Sequence, residues 1–260
     1  MFSSLLKRDF SVVHKICFAG LFIAIITILQ KVVAINYIAA VPFLRVSFGG
    51  CAVLMYASIL LGPWYGLLIG AASDILGYFI FDPKTMGFFP QITAIYALLG
   101  FASYFVFKLF KLIKNKNIMR IVEYGGFLLL LAGLTLFLNL NSQITLYDST
   151  YTIETWQKIV LPCIGLALFT VLVVVTELTS KLYKKKDDPR LVFNPFQISF
   201  SCLILEITVM VLFGTLMKGF AFGFQTYPAI IICQLIVMVI NVPLNTFIIS
   251  YILLVTRRLH

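Results

Sequence analysis

Four acidic side chains, Asp74, Glu123, Glu177 and Glu206, stand inside or at the borders of long apolar runs, and they are the groups with which this sequence could do chemistry away from water. Carboxyls at such depth can relay protons, whereas an intramembrane hydrolase needs a nucleophile with a base, or a metal with several ligands. The spacing does not favour hydrolysis. The acids form no DxxD or ExxH pair, and the two histidines, His14 and His260, stand near opposite ends of the chain. Glu123 follows Arg120 by three residues and Glu177 precedes Lys181 by four, so both are expected in interfacial salt bridges along their own helices. Asp74 and Glu206 each sit about ten residues into an apolar run, roughly 15 Å deep at 1.5 Å per residue. An ionisable group there either serves a function or bonds to a neighbouring helix. The cysteines, Cys17, Cys51, Cys163, Cys202 and Cys233, make no CxxC or Cys/His pattern and read as small buried hydrophobes. No Walker A sequence occurs, so any energy from ATP must come from a partner. No catalytic residue, metal ligand or cofactor is expected.

A second set of polar groups suits binding rather than catalysis. Arg45 and Ser47 lie in Phe43-Leu44-Arg45-Val46-Ser47-Phe48, and Phe88-Phe89-Pro90-Gln91-Ile92-Thr93 opens a later apolar run. Near the C-terminus, Asn241-Val242-Pro243-Leu244-Asn245-Thr246 places two amides one turn apart beside a proline that frees a backbone carbonyl. Arg45, Ser47, Phe48, Phe89, Gln91, Thr93, Asn241 and Asn245 together offer a cation, amides, hydroxyls and aromatic faces, a lining for a planar polar ligand. The plain alternative for Arg45 is an interfacial side chain that snorkels to the headgroups. Small residues also recur at helix-contact spacing, Gly20 with Ala24 and Gly66 with Gly70, where backbones can approach closely, either inside the bundle or against a partner.

The elements that carry these residues must be membrane helices. Of 260 residues, 61% are hydrophobic and 12% charged, and the mean hydropathy is +1.03. Apolar runs of about 18–25 residues fit α-helical spans and do not fit the short alternating segments of a barrel. The pattern predicts an all-α polytopic bundle forming one integral membrane domain, with about eight spans near 14–33, 44–62, 64–81, 88–110, 119–139, 157–182, 196–217 and 227–255. The break at Leu61-Gly62-Pro63 is a tight turn, because proline disfavours helix before it and starts one well. The net charge of +10 could suggest nucleic acid, but the basic residues lie in short clusters between apolar runs. With a cytoplasmic N-terminus, only Lys31, Arg45, Lys84, Lys158 and Lys218 among 20 basic residues fall outside, so both termini are expected in the cytoplasm and residues 139–156 outside. The first apolar run shows no small-residue cleavage site and reads as a retained helix rather than a signal peptide.

In this order the motifs resemble the substrate-binding (S) components of energy-coupling factor vitamin transporters, particularly the folate group. The resemblance rests on Ala19-Gly20-Leu21-Phe22-Ile23-Ala24-Ile25, Leu44-Arg45-Val46-Ser47-Phe48, Leu61-Gly62-Pro63 with Gly66, Gly70-Ala71-Ala72-Ser73-Asp74-Ile75-Leu76-Gly77-Tyr78, Phe88-Phe89-Pro90-Gln91-Ile92-Thr93 with Gly100, and Pro243-Leu244-Asn245-Thr246. Residues 16–110 match best. Such components usually have six helices, so 14–110 and 196–256 correspond to that core and 119–182 to an inserted helical pair, which preserves orientation. Gln91 stands where the folate group tends to have glycine. The resemblance implies a bacterial cell-membrane protein that binds a folate-like vitamin from outside and works with a transmembrane coupling subunit and two cytoplasmic ATPases. It implies that Gly20 and Ala24, with Gly66 and Gly70, meet the coupling subunit, and that the whole component topples to release its ligand inside. A proton-coupled carrier or channel using Asp74 and Glu206 is the competing expectation.

Overall fold

The computed structural model describes residues 10–33, 49–81, 88–113, 115–146, 149–184, 193–222 and 227–258. Helix α1, Val12–Lys31, begins at Ser11, whose hydroxyl accepts the His14 N–H at 3.4 Å and so satisfies one of the donors that a helix start leaves open. Helix α2, Gly50–Leu61, is entered through Gly49 at φ +76° and left through Gly62 at φ +102°. Both conformations strain any residue with a Cβ. Pro63 then starts α3, Pro63–Phe81, as the Gly62-Pro63 signal predicts. Helix α4, Pro90–Lys111, likewise has proline in its first turn.

Helix α5, Lys116–Leu140, is capped by the Asn115 side chain, which accepts from the Asn117 and Ile118 N–H groups. Residues 143–152 then fold into an antiparallel hairpin, β1 (Gln143–Leu146) and β2 (Ser149–Thr152), with Gln143 opposite Thr152. This hairpin lies within residues 139–156, the stretch expected outside. Helix α6, Thr155–Lys184, follows. Helix α7, Pro195–Leu205, starts on a capping box between Asn194 and Gln197, and the Gln197 amide also donates to the Ile113 carbonyl at 3.0 Å, tying the start of α7 to the end of α4. A π-helical stretch, Glu206–Phe213, and helix α8, Gly214–Phe222, continue it, and α9, Tyr227–Arg258, closes the chain.

Among the described residues seven helical segments are long and apolar enough to cross a membrane, counting Pro195–Ala221 as one. The chain is therefore an all-α polytopic membrane bundle. The exception to the expected eight spans is α2, whose 12 residues are all buried. At 1.5 Å per residue it covers about 18 Å, too little to cross the hydrocarbon core alone. The residues expected to lengthen it, 44–48, lie outside the described residues.

Contacts set the helix directions. Thr27 in α1 donates to the Ser73 carbonyl in α3, so these two run in parallel, while Arg120 meets Glu177 and Leu131 meets Gly165, so α5 and α6 are antiparallel. Phe127 and Leu131 pack with Met238, Val239 and Val242, whereas Leu134 and Leu138 pack with Ile232 and Ile236, so α9 also runs against α5. The main core joins α1, α2, α3, α4 and α7 around Ile26, Leu54, Ile69, Leu99 and Ile198. α9 is the most enclosed span, with 61% of its apolar window buried against 17% for α6.

Candidate ligand-binding region

The deepest polar cluster forms where the π-helical stretch meets α9. Glu206, 1% exposed, accepts the Asn245 side-chain amide at 2.9 Å, and Asn241 stands one turn before Asn245 on α9. Asn241 and Asn245 are 2% and 1% exposed and lie on either side of Pro243. Proline removes one N–H from the α9 ladder, which frees the Val239 carbonyl beside this cluster. A π-helical stretch is a rare departure from α geometry that recurs at functional sites, and here it opens at Glu206.

Two buried atoms in this region have no hydrogen-bond partner among the described residues: the Asn241 side-chain oxygen Oδ1 and the Thr215 hydroxyl on α8. Lys218, three residues beyond Thr215, is half-buried on α8, in the same helical rod as Glu206.

The second polar pair joins α3 to α4. The Thr93 hydroxyl donates to Asp74 Oδ2 at 2.6 Å, and Asp74 is 6% exposed. The Gln91 side-chain oxygen, one turn before Ile95, is buried with no partner among the described residues. Nearby, Phe88 stacks on Phe79 with centroids 5.9 Å apart and meets Tyr78 at 5.4 Å, and Phe89 precedes Pro90 at the start of α4. A Cβ on Gly214 would lie 3.8 Å from the Ile95 side chain, so α4 and α8 touch there.

Of the expected ligand contacts, Asn241 and Asn245 are buried on α9, while Phe89, Gln91 and Thr93 are half-buried at the start of α4, and Arg45, Ser47 and Phe48 lie outside the described residues. Asn245 donates to Glu206, so Glu206 makes the bond to a neighbouring helix that the sequence offers as the alternative to a functional role. Gly20 and Ala24 lie on an exposed face of α1. Gly66 and Gly70 do not. A Cβ at Gly66 would sit 2.5 Å from the Gly100 carbonyl oxygen, and one at Gly70 would overlap the Tyr96 carbonyl, so these glycines let α3 and α4 touch backbone to backbone and are corrected to internal packing.

The interfacial acids also differ from expectation. Glu177 pairs with Arg120 at 2.6 Å across α5 and α6 rather than with Lys181 along its own helix, and Tyr124 bonds Thr176 at 2.9 Å beside it. Glu123 is fully buried and accepts from Ser199 on α7, leaving its Oε2 without a partner among the described residues. The same helical face carries Arg120 and Glu123 in sequence, but the turn between them points Glu123 inward. No three His, Cys, Asp or Glu side chains gather as metal ligands among the described residues. Compared with models of protein families, with curated proteins and with solved structures, the chain matches none.

Proposed function

We propose that this chain is the substrate-binding subunit of an energy-coupling factor importer in a bacterial cell membrane, capturing folate or a related anionic, planar vitamin for ATPase-driven uptake. The observation that supports this reading is a set of buried polar atoms with no partner among the described residues, which includes Asn241 Oδ1, Thr215 Oγ1 and Gln91 Oε1. An unmade buried hydrogen bond costs about 1–3 kcal/mol. Such atoms are tolerated where a ligand supplies the missing partner. The motif series from Gly20 to Asn245 supports the family, and the chain carries no ATP-binding sequence of its own.

In this reading Arg45 holds an anionic group of the vitamin, and Ser47, Phe48, Phe89, Gln91 and Thr93 contact its ring. The exposed small-residue face of Gly20 and Ala24 takes the coupling subunit, and the two ATPases act through that subunit. Replacing Gly20 and Ala24 together by leucine tests this directly. Vitamin binding to the isolated chain should persist while uptake in cells that also express the coupling subunit and ATPases falls to background. Loss of binding in the same variant would mean that the face packs within the bundle and would remove the coupling assignment.

A proton-coupled carrier remains the second reading, favoured by the burial of both Asp74 and Glu206. It requires uptake by the chain alone, abolished by a proton ionophore. The importer requires uptake only with the ATPases present.

A further inference from the structure

Thr27 donates to the Ser73 carbonyl at 3.3 Å, which sets α1 beside α3 with the two helices in step. One turn further along both, Lys31 meets Gly77. A Cβ at Gly77 would lie 2.8 Å from Lys31 Cε, 3.2 Å from Cγ and 3.6 Å from Cδ, so the lysine stem runs flat across the α3 backbone where glycine leaves room for it. Lys31 is half-buried and Gly77 is buried, so this cation is laid into the bundle. Asp74 stands three residues before Gly77, and positions three apart on a helix share a face with Cβ atoms about 5–6 Å apart. The Lys31 ammonium, one bond beyond Cε, is then within reach of the Asp74 carboxyl. Long helical side chains also lean toward the N-terminus of their own helix, which turns Lys31 on the parallel α1 from the level of Gly77 toward that of Asp74.

We infer that Lys31 is the internal counter-ion of Asp74 and, with Thr93, positions that carboxylate where α1, α3 and α4 meet. Asp74 is 6% exposed and accepts the Thr93 hydroxyl at 2.6 Å. One hydroxyl does not balance a charge at that depth, whereas a cation beside it does, and acids inside membrane spans pair in this way. The carboxylate so held joins three helices at one point: α1 through the lysine, α3 through its own backbone, and α4 through the threonine. A proton carrier needs an acid whose proton comes and goes. Asp74 in an ion pair does not offer that, so the competing carrier would have to work through Glu206 alone. The plain alternative is a lysine that runs on past Gly77 to the headgroups. No ligand enters this inference, so it is independent of the vitamin-binding reading.

The test uses the full chain in lipid nanodiscs at neutral pH, as wild type, Lys31→Met, Asp74→Asn and the double variant. Methionine keeps the apolar stem and asparagine keeps an acceptor for Thr93, so each single substitution removes one charge and little else. Each should lower the Tm by about 5 °C or more, because the other charge is left buried without its partner, and the double variant should regain most of the loss. Infrared spectra add a readout that packing alone does not move. A buried carboxyl without its counter-ion goes neutral, so Lys31→Met should add the carbonyl band of a carboxylic acid, and the double variant should lack it. Lys31→Arg, which keeps the charge, should show no such band. Additive losses in the double variant, wild-type stability in Lys31→Met, no new band there, or a band that survives in the double variant overturns the pairing and returns Lys31 to the headgroups. If neither single variant folds, the double variant must still fold, and its failure to do so overturns the pairing as well.

Discussion

The bundle buries two glutamates to nearly the same extent and treats them differently. Glu206, in the rod of α7 and α8, accepts an amide of the most enclosed helix, and a π-helical stretch reshapes the backbone around it. Glu123, on α5, has one serine partner and an oxygen with no partner among the described residues. The same contrast runs through the packing. In α3 and α4, Gly66, Gly70 and Gly100 bring backbones into contact, whereas α5 meets α6 through side chains, Leu131 against Gly165 and Arg120 with Glu177. The core is therefore built to fix polar groups in place, and the pair of helices α5 and α6 is laid against it with looser demands. Without a hydrophobic drive between helices in lipid, close backbone approach and interhelical hydrogen bonds supply that fixity.

The largest effect should come from removing the better-held acid. Glu206→Leu leaves the Asn245 amide buried without its acceptor, at about 1–3 kcal/mol. Glu123→Leu leaves only the Ser199 hydroxyl, which can turn to its own helix, and removes an oxygen that already lacked a partner, so its cost should be about 1 kcal/mol or less. Thermal unfolding of the two purified variants in one detergent compares them. Equal losses would mean that the two glutamates do the same work and would break the contrast.

A smaller effect separates the glycines. Gly66→Ala puts a Cβ 2.5 Å from a backbone oxygen that cannot rotate away, an overpacking of about 1–3 kcal/mol. Gly133→Ala on α5 meets nothing within 4 Å and should be neutral or stabilising by up to about 1 kcal/mol through helix propensity. Destabilisation by both, read from the same unfolding curves, would show that the inserted pair is packed as closely as the core.

Much of this frame was legible before any coordinates. The rods at 64–81, 88–110 and 196–217 announce themselves because Pro63, Pro90 and Pro195 start helices and apolar runs of fixed length follow. The facing of Asn241 and Asn245 follows from helical spacing alone. Their partner does not, since Glu206 lies 39 residues from Asn245 and no local pattern encodes that pairing. Glycine spacing in α3 shows that something approaches closely but not whether it is α4 or another subunit. The π-helical stretch hid for a further reason. Its wider turns over Glu206–Phe213 depart from the 3.6-residue period by which the sequence is searched.

The central claim is that this bundle holds an anionic, planar vitamin, and the most direct measurement is calorimetric titration of purified wild type, Arg45→Lys and Arg45→Ala with folic acid. If Arg45 pairs with the vitamin carboxylate away from water, alanine should cost about 2–5 kcal/mol of binding. Lysine, which keeps the charge and loses the two-pronged geometry, should recover only part of it. Equal affinities across the three proteins, or no binding to the wild type, would contradict the account.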